Sequence, residues 1–227
     1  AVLREAIGYA KSRGLDVGVG FEVKGDALDP AVRERFDARL RSVLQDYPQI
    51  DCLWLWQPEG RGMFPGEDPE PRSPWASYAN RWSGVFEDVG DARRRAEAAR
   101  MVLFAMHGKQ LLEALRPDVR LVVSGWGGDA WLRCTDLYPG MDALLPKDVV
   151  LSALDNLWMT PNISSVYDRV SPDRECWPII WHEYDGDLWM PQPNLYETAG
   201  ACRDARSKGC EGLIGIHWRT RSVEEAM

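Results

Sequence analysis

The chain has 227 residues, 45% of them hydrophobic and 27% charged, and its 35 acidic and 27 basic side chains give a net charge of −8. This acidic balance argues against a nucleic-acid-binding surface, which needs clustered Lys and Arg. No run approaches the roughly 18 to 20 apolar residues that cross a bilayer, so no membrane partner is predicted. The five cysteines are odd in number and lack CxxC spacing, which argues against a disulfide framework or a zinc site and favours a reducing compartment such as the cytoplasm.

Apolar strand-like runs alternate with helical patterns along the whole chain. The predicted strands lie at residues 15–23, 50–56, 120–126, 149–155, 177–183 and 212–218. The predicted helices lie at residues 1–13, 30–47, 90–115 and 194–208, and the stretch between the third and fourth strands holds a further short helix. A long Pro/Gly-rich stretch at 57–89 is predicted as a loop.

Several helix boundaries are marked by capping residues. Asp29 before Pro30 predicts an N-cap followed by proline at the first helical position. Asn194 with Glu197 three positions later resembles a capping box, and Gly209 suits the C-terminus of that helix. The cluster Arg93-Arg94-Arg95 beside Glu97 is predicted to form a solvated helix face.

Alternating strands and helices predict an α/β fold in which the strands pair in parallel through right-handed crossovers. A doubly wound sheet and a (β/α)8 barrel both fit this pattern. Neither GxGxxG nor GxxxxGK[ST] is present, so the phosphate loop that would favour the doubly wound sheet is missing. We therefore predict a (β/α)8 TIM barrel. Residues 1–227 are expected to be a single catalytic domain holding about six of the eight strand-helix units, incomplete at the N-terminus and at the last helix.

Charged and aromatic residues follow the C-terminal end of every predicted strand, where a barrel collects its functional groups. Tryptophan is also frequent, with 11 residues in the chain. Indole faces stack on the apolar face of a sugar ring while polar groups bind its hydroxyls, so an oligosaccharide or glycoside substrate is predicted. The expected substrate-binding residues are Glu22, Trp56, Trp126, Asp129, His182, Tyr184, Asp185, His217, Trp218 and Arg219.

Three carboxylates are the candidates for catalysis. If the last strand is the eighth of a barrel, Glu59 and Glu183 leave the fourth and seventh strands, where the large clan of barrel glycosidases carries its acid and its second carboxylate. Asp155 leaves the sixth strand. Glu59 is predicted to be the general acid, and Glu183, with Asp155, to activate water or to attack the anomeric carbon. No cofactor and no metal is predicted.

The strand that runs into His182-Glu183-Tyr184, with Gly186 after it, resembles glycoside hydrolase family 67, the α-glucuronidases, and their uncharacterised relatives. That family has a Gln-Glu-Tyr segment here, so His182 stands in place of the glutamine. Asp155 lies on the preceding strand, 28 positions before Glu183. The resemblance implies that Asp155 and Glu183 flank the water as general base and that Glu59 is the acid. It also implies a substrate that bears a uronic acid. Apart from the resemblance, Arg219 and His217 are candidates to bind a substrate carboxylate or hydroxyl, because a guanidinium fork matches a planar carboxylate. An arginine there would suit a uronic or sialic acid, or it would brace Glu183.

Three other functions are open. A sugar-binding or degenerate barrel of a larger protein would keep the aromatic residues without turnover. A hexosaminidase-like glycosidase would carry adjacent Asp-Glu at the fourth strand, where this chain has Gln57-Pro58-Glu59. A metal-using isomerase or lyase would use Glu22, Asp155 and Glu183 as oxygen ligands. A metal-dependent hydrolase is disfavoured, because it needs several His ligands, usually with an HxH pair, which the sequence lacks.

Overall fold

The computed structural model describes residues 2–57, 74–90, 92–125, 137–153, 161–181 and 194–216. The strands of this part are β1 (Gly18–Glu22), β2 (Cys52–Trp56), β3 (Arg120–Ser124), β4 (Val150–Leu151), β5 (Ile179–Trp181) and β6 (Ile214–Ile216). The helices are α1 (Val2–Ser12), α2 (Pro30–Asp46), α3 (Pro74–Asn80), α4 (Ala92–Leu115), α5 (Tyr138–Leu144) and α6 (Asn194–Ser207), with a 3₁₀ helix at Ser165–Arg169. The α/β class with parallel strands is confirmed.

The strands are arranged in chain order. One sheet has the order β1-β2-β3-β4, a second pairs β5 with β6, and every pairing is parallel. A doubly wound sheet reverses its strand order at a switch point, and these four strands show no reversal. The sequential order is the one that a (β/α)8 barrel requires.

Backbone hydrogen bonds join the two sheets. The Trp177 amide donates to the Leu151 carbonyl at 2.9 Å, and the Ile179 amide donates to the Ala153 carbonyl at 2.8 Å. A parallel bridge also pairs Leu151 with Cys176. The segment that enters β5 therefore lies beside β4, so the described strands form one consecutive series from β1 to β6.

The two faces of this series differ in what covers them. Alternate residues of β2, Leu53 and Leu55, are fully buried in the large core that contains Phe36 of α2 and Phe104 of α4. The residues between them point to the opposite face, because side chains alternate along a strand. On that face Cys52 packs in a small separate cluster with Val122, Val150 and the rings of Trp54 and Trp177. The helices thus cover one face, and the other carries its own narrow core.

Helix α2 begins as its sequence predicts. The Asp29 side chain accepts a hydrogen bond from the Ala31 amide at 2.8 Å, and Pro30 occupies the first turn, where a missing N–H leaves no bond unmade. The buried side chains recur at helical spacing and pack against the strands: Val32, Phe36, Leu40 and Leu44.

The prediction of a solvated face for the start of α4 is wrong in part. Glu97 is 1% exposed, and its carboxylate lies 3.6 Å from the guanidinium of Arg100, which is fully buried. The Arg95 guanidinium donates to the Val89 carbonyl at 2.7 Å. This side of α4 is packed because α3, a helix inside the stretch predicted as a loop, lies against it.

Carboxylates occupy the amino ends of the strands. Asp51, directly before β2, accepts hydrogen bonds from the Lys11 ammonium at 2.7 Å and from the Val17 amide at 2.7 Å. Burial raises the pKa of Asp51, but these two donors outweigh burial and hold that pKa below its ordinary value. The ion pair therefore ties α1 to the amino ends of β1 and β2.

Cys52, Cys176, Cys202 and Cys210 are free thiols. In the part of the chain with described coordinates, no helix is both long and apolar enough to span a membrane.

Candidate functional site

Two of the predicted site residues, Glu22 and Trp56, lie in the described strands. Both stand at the last position of a strand, as predicted, and they are register partners across β1 and β2. The other predicted site residues lie outside the described residues: Glu59, Trp126, Asp129, Asp155, His182, Glu183, Tyr184, Asp185, His217, Trp218 and Arg219.

Glu22 and Trp56 belong to a row that crosses the carboxyl ends of the sheet. Trp56 is the register partner of Ser124 at the end of β3, and the Ser152 amide donates to the Val123 carbonyl at 2.9 Å, which continues the pairing to the exit of β4. By strand alternation these four residues share the face opposite the helices. We call Glu22, Trp56, Ser124 and Ser152 the exit row.

The exit row is open at one end and closed at the other. The Glu22 side chain is 42% exposed and forms an ion pair of 2.5 Å with Lys24. Trp56 is partly exposed, whereas Ser124 and Ser152 are fully buried. A molecule from solvent would therefore meet the row at Glu22 and Trp56 first.

Aromatic rings fill the same face one layer below the exit row. The indoles of Trp54 and Trp177 pack edge to face with their centroids 6.4 Å apart. The Arg120 guanidinium lies 4.8 Å from the centre of the Trp177 ring and forms an ion pair of 3.1 Å with Glu175. This layer of rings and charges lies between the exit row and the amino ends of the strands.

Three residues of β2, β3 and the β2 exit have buried hydrogen-bonding atoms without a partner in the described structure. They are the Ser124 hydroxyl, both amide atoms of Gln57, and the indole N–H of Trp54. Ser152 differs, because its hydroxyl donates to the Trp177 carbonyl at 2.6 Å. Sequence reasoning did not single out Ser124 or Gln57. The available signal was a polar residue at the end of an apolar run, which is weak because serine and glutamine also occur commonly in turns.

The loop after β1 is held in place by buried side chains of α3 and α4. The Arg100 guanidinium donates to the Val23 carbonyl at 2.8 Å, and the Tyr78 hydroxyl donates to the Asp26 carboxylate while accepting from the Leu28 amide at 3.0 Å. Burial and the Asp26 carboxylate raise the pKa of Tyr78, so this phenol stays a hydrogen-bond donor at neutral pH. These contacts fix the backbone directly after Glu22.

A cavity lies at the other end of the strands. It has a volume of about 480 Å³, and residues at the amino ends of β3, β4 and β5, including Arg120, Asp148 and Glu175, line it. These charges pair with each other or with Lys109. Within the described ranges no group of three or more His, Cys, Asp or Glu side chains is arranged to hold a metal ion.

No protein-family model matches the sequence, and no curated protein matches it. Two solved structures of agarases, which are glycoside hydrolases, share the fold. The agarase AgWH50C superposes with a TM-score of 0.55 at 10% identity over 94% of this chain, and an exo-beta-agarase superposes with a TM-score of 0.58 at 9% identity over 93%. The chain spans 39% and 38% of the length of these two proteins.

Proposed function

We propose that the chain forms part of a (β/α)8 glycoside hydrolase that cleaves a glycosidic bond with two carboxylates. The observation that carries the proposal is the shared fold with two agarases across nearly the whole chain. The exit row supports it, because it places a carboxylate and a partly exposed indole side by side where strands of this fold class end.

In the proposed mechanism Glu59 is the general acid. It would lie just beyond β2 and donate its proton to the glycosidic oxygen as the bond from that oxygen to the anomeric carbon breaks. Glu183, with Asp155, would complete the reaction from the other face of the sugar. It would either take a proton from the attacking water or bond to the anomeric carbon and release the sugar to water in a second step.

The remaining predicted residues would bind the saccharide. Trp56 would stack on a sugar ring, and Glu22 would accept a hydrogen bond from a hydroxyl once the substrate displaces Lys24 from it. The other residues proposed for binding are Trp126, Asp129, His182, Tyr184, Asp185, His217, Trp218 and Arg219.

Hydrolysis of a substrate panel by wild type and by Glu→Gln variants tests the proposal. The panel holds agarose and aryl glycosides of neutral sugars, and product is measured as released reducing ends or released phenol. Glu59→Gln and Glu183→Gln should each lower kcat by about 10²-fold or more, because each removes a proton donor or a nucleophile. Glu113→Gln, at a half-exposed position of α4, is the matched control and should leave kcat unchanged. Near-normal turnover of Glu183→Gln would refute its catalytic role.

A substrate that bears a uronic acid is the narrower proposal, which follows from the resemblance to family 67. The two agarases give no support for this specificity, which rests on that resemblance and on Arg219 and His217 as candidate partners of a carboxylate. Adding glucuronosyl oligosaccharides to the panel tests it. Preferential cleavage of the glucuronosyl oligosaccharides by wild type, with the preference lost in Arg219→Met, would support a contact between Arg219 and the sugar carboxylate. A preference of wild type for neutral substrates would contradict the uronic acid specificity.

A non-catalytic sugar-binding domain is the second candidate. The observation that favours it is the exit row, in which the partly exposed Trp56 beside Glu22 could bind a sugar without any cleavage. Calorimetric binding of an agarose oligosaccharide without release of reducing ends would support this function and contradict the catalytic one.

A further inference from the structure

The hydroxyl of Ser124 is the least satisfied polar group of the exit row. The residue is fully buried at the end of β3, and its Oγ has no hydrogen-bond partner in the described structure. Folding removes such a hydroxyl from water without replacing the lost hydrogen bonds, which destabilises the native state. Alanine would avoid this cost at nearly the same volume, so a role in binding would account for the serine.

The position of Ser124 indicates what could supply the missing bond. Its register partner Trp56 is partly exposed on the same face, one strand spacing of about 4.8 Å away. The next residue along the row, Glu22, is open to solvent. A ring stacked on Trp56 would lie one strand away from the Ser124 hydroxyl, and its edge would reach this buried group by displacing what covers it.

We propose that Ser124 is a substrate-binding residue that hydrogen-bonds a neutral hydroxyl of the sugar unit stacked on Trp56. The inference rests on the proposed function and adds to it a residue and a ligand chemistry. A serine hydroxyl both donates and accepts, which suits a sugar hydroxyl. A sugar carboxylate would need a cation at this fully buried position, and a neutral hydroxyl does not.

The exit row contains its own control. Ser152 is also fully buried at a strand exit, but its hydroxyl donates to the Trp177 carbonyl at 2.6 Å. Removing the Ser152 hydroxyl breaks a bond of the folded protein. Removing the Ser124 hydroxyl breaks none. Ser124→Ala should therefore weaken binding without loss of stability, whereas Ser152→Ala should lower stability with binding little changed.

Thermal unfolding and steady-state kinetics of both variants test the inference, with agarose oligosaccharides and the aryl glycoside cleaved fastest by wild type as probes. Ser124→Ala should raise KM about 3- to 10-fold with kcat unchanged, and its Tm should equal or exceed that of wild type. Ser152→Ala should keep kcat/KM within about twofold of wild type and lower Tm by about 2 to 4 °C.

A substrate analogue that lacks one hydroxyl identifies the contact. Wild type should cleave the analogue that lacks the hydroxyl bound by Ser124 with a lower kcat/KM than the complete substrate. On this analogue Ser124→Ala and wild type should have the same kcat/KM, because the hydrogen bond is absent in both cases. A KM of Ser124→Ala within twofold of wild type would overturn the inference. So would a lower Tm for this variant, which would show that its hydroxyl has a structural partner such as a buried water. If wild type neither cleaves nor binds any probe, the proposed function itself fails, which is a different result from either of these.

Discussion

Arg174 and Asp142 form a buried ion pair in which hydrogen bonds compensate for the loss of water. The Arg174 guanidinium is fully buried and donates to the Asp142 carboxylate at 2.5 Å. It also donates to the carbonyls of Leu145 at 2.8 Å and Pro146 at 2.9 Å. These carbonyls lie at the end of α5 and just beyond it, so a single side chain caps the helix and holds the turn that leads into β4.

Asp142→Asn should lower the free energy of unfolding by about 3 kcal/mol, because it leaves the Arg174 charge buried without its partner. Urea denaturation at neutral pH measures the change. Asp148→Asn is the matched control, since it breaks an ion pair whose carboxylate is 63% exposed and should cost less than about 1 kcal/mol. Equal losses in the two variants would contradict the structural role assigned to the buried pair.

The stability supplied by Asp142 should depend on pH. Burial disfavours its charged form, but hydrogen bonds from Lys147, Ser171 and Arg174 outweigh burial and hold the pKa of Asp142 well below its ordinary value of 3.8. A carboxylate whose pKa is lowered by folding contributes its full stability above its pKa in the unfolded chain. This contribution is lost as the pH falls toward its pKa in the folded protein. The stability difference between wild type and Asp142→Asn should therefore shrink below about pH 4, and a constant difference down to about pH 2 would contradict this.

At the scale of elements, the contact between β1 and β2 is tight because Gly20 lies beside Trp54. A Cβ on Gly20 would lie 2.6 Å from the Trp54 Cβ and 2.8 Å from the Trp54 carbonyl oxygen. The glycine thus makes room for the indole that packs under the exit row. This explains a glycine inside a strand, where its backbone freedom is otherwise unfavourable.

Gly20→Ala should destabilise the protein by about 1 to 3 kcal/mol, because the added methyl group forces the two strands apart. Denaturant unfolding measures the loss, and near-ultraviolet circular dichroism should report a change in the packing of Trp54 against Trp177. Gly84→Ala is the control, since a Cβ there meets no atom within 4 Å. If Gly20→Ala were as stable as Gly84→Ala, the close approach of the two strands would be disproved.

The elements that the sequence predicted best are those whose local signals agree. Asp29, Pro30 and the apolar spacing of α2 point to the same helix, and the structure confirms it. Helix α3 was missed because it is one of the shortest helices of the described part and lies in a Pro/Gly-rich stretch, where composition predicts a loop. All the described strands except β3 begin one to three residues later than predicted, since apolar runs extend beyond the backbone pairing that defines a strand.

At the scale of the molecule, the two ends of the parallel strands differ in how their polar groups are paired. The amino ends carry carboxylates that are paired, as Asp51 is with Lys11 and Glu175 is with Arg120. The carboxyl ends carry unpaired buried groups beside a partly exposed indole. This asymmetry is the one expected of a barrel enzyme, whose amino ends serve stability and whose carboxyl ends serve function.

The positions of Glu22 and Trp56 could be predicted from sequence because a strand end follows from a change in residue type. Their alignment with Ser124 could not be predicted, because register is set by pairing between strands that are far apart in the chain. The burial of Ser124 without a partner likewise depends on neighbours from other strands.

The separation of the Glu59 and Glu183 carboxyl groups, measured in a crystal structure of the chain, tests the two-carboxylate site most directly. Both groups should lie on the face that carries Trp56, roughly 5 to 9.5 Å apart, with the shorter end of that range indicating a retaining enzyme and the longer end an inverting one. A separation well above about 10 Å, or side chains on opposite faces of the strands, would contradict the proposed catalysis.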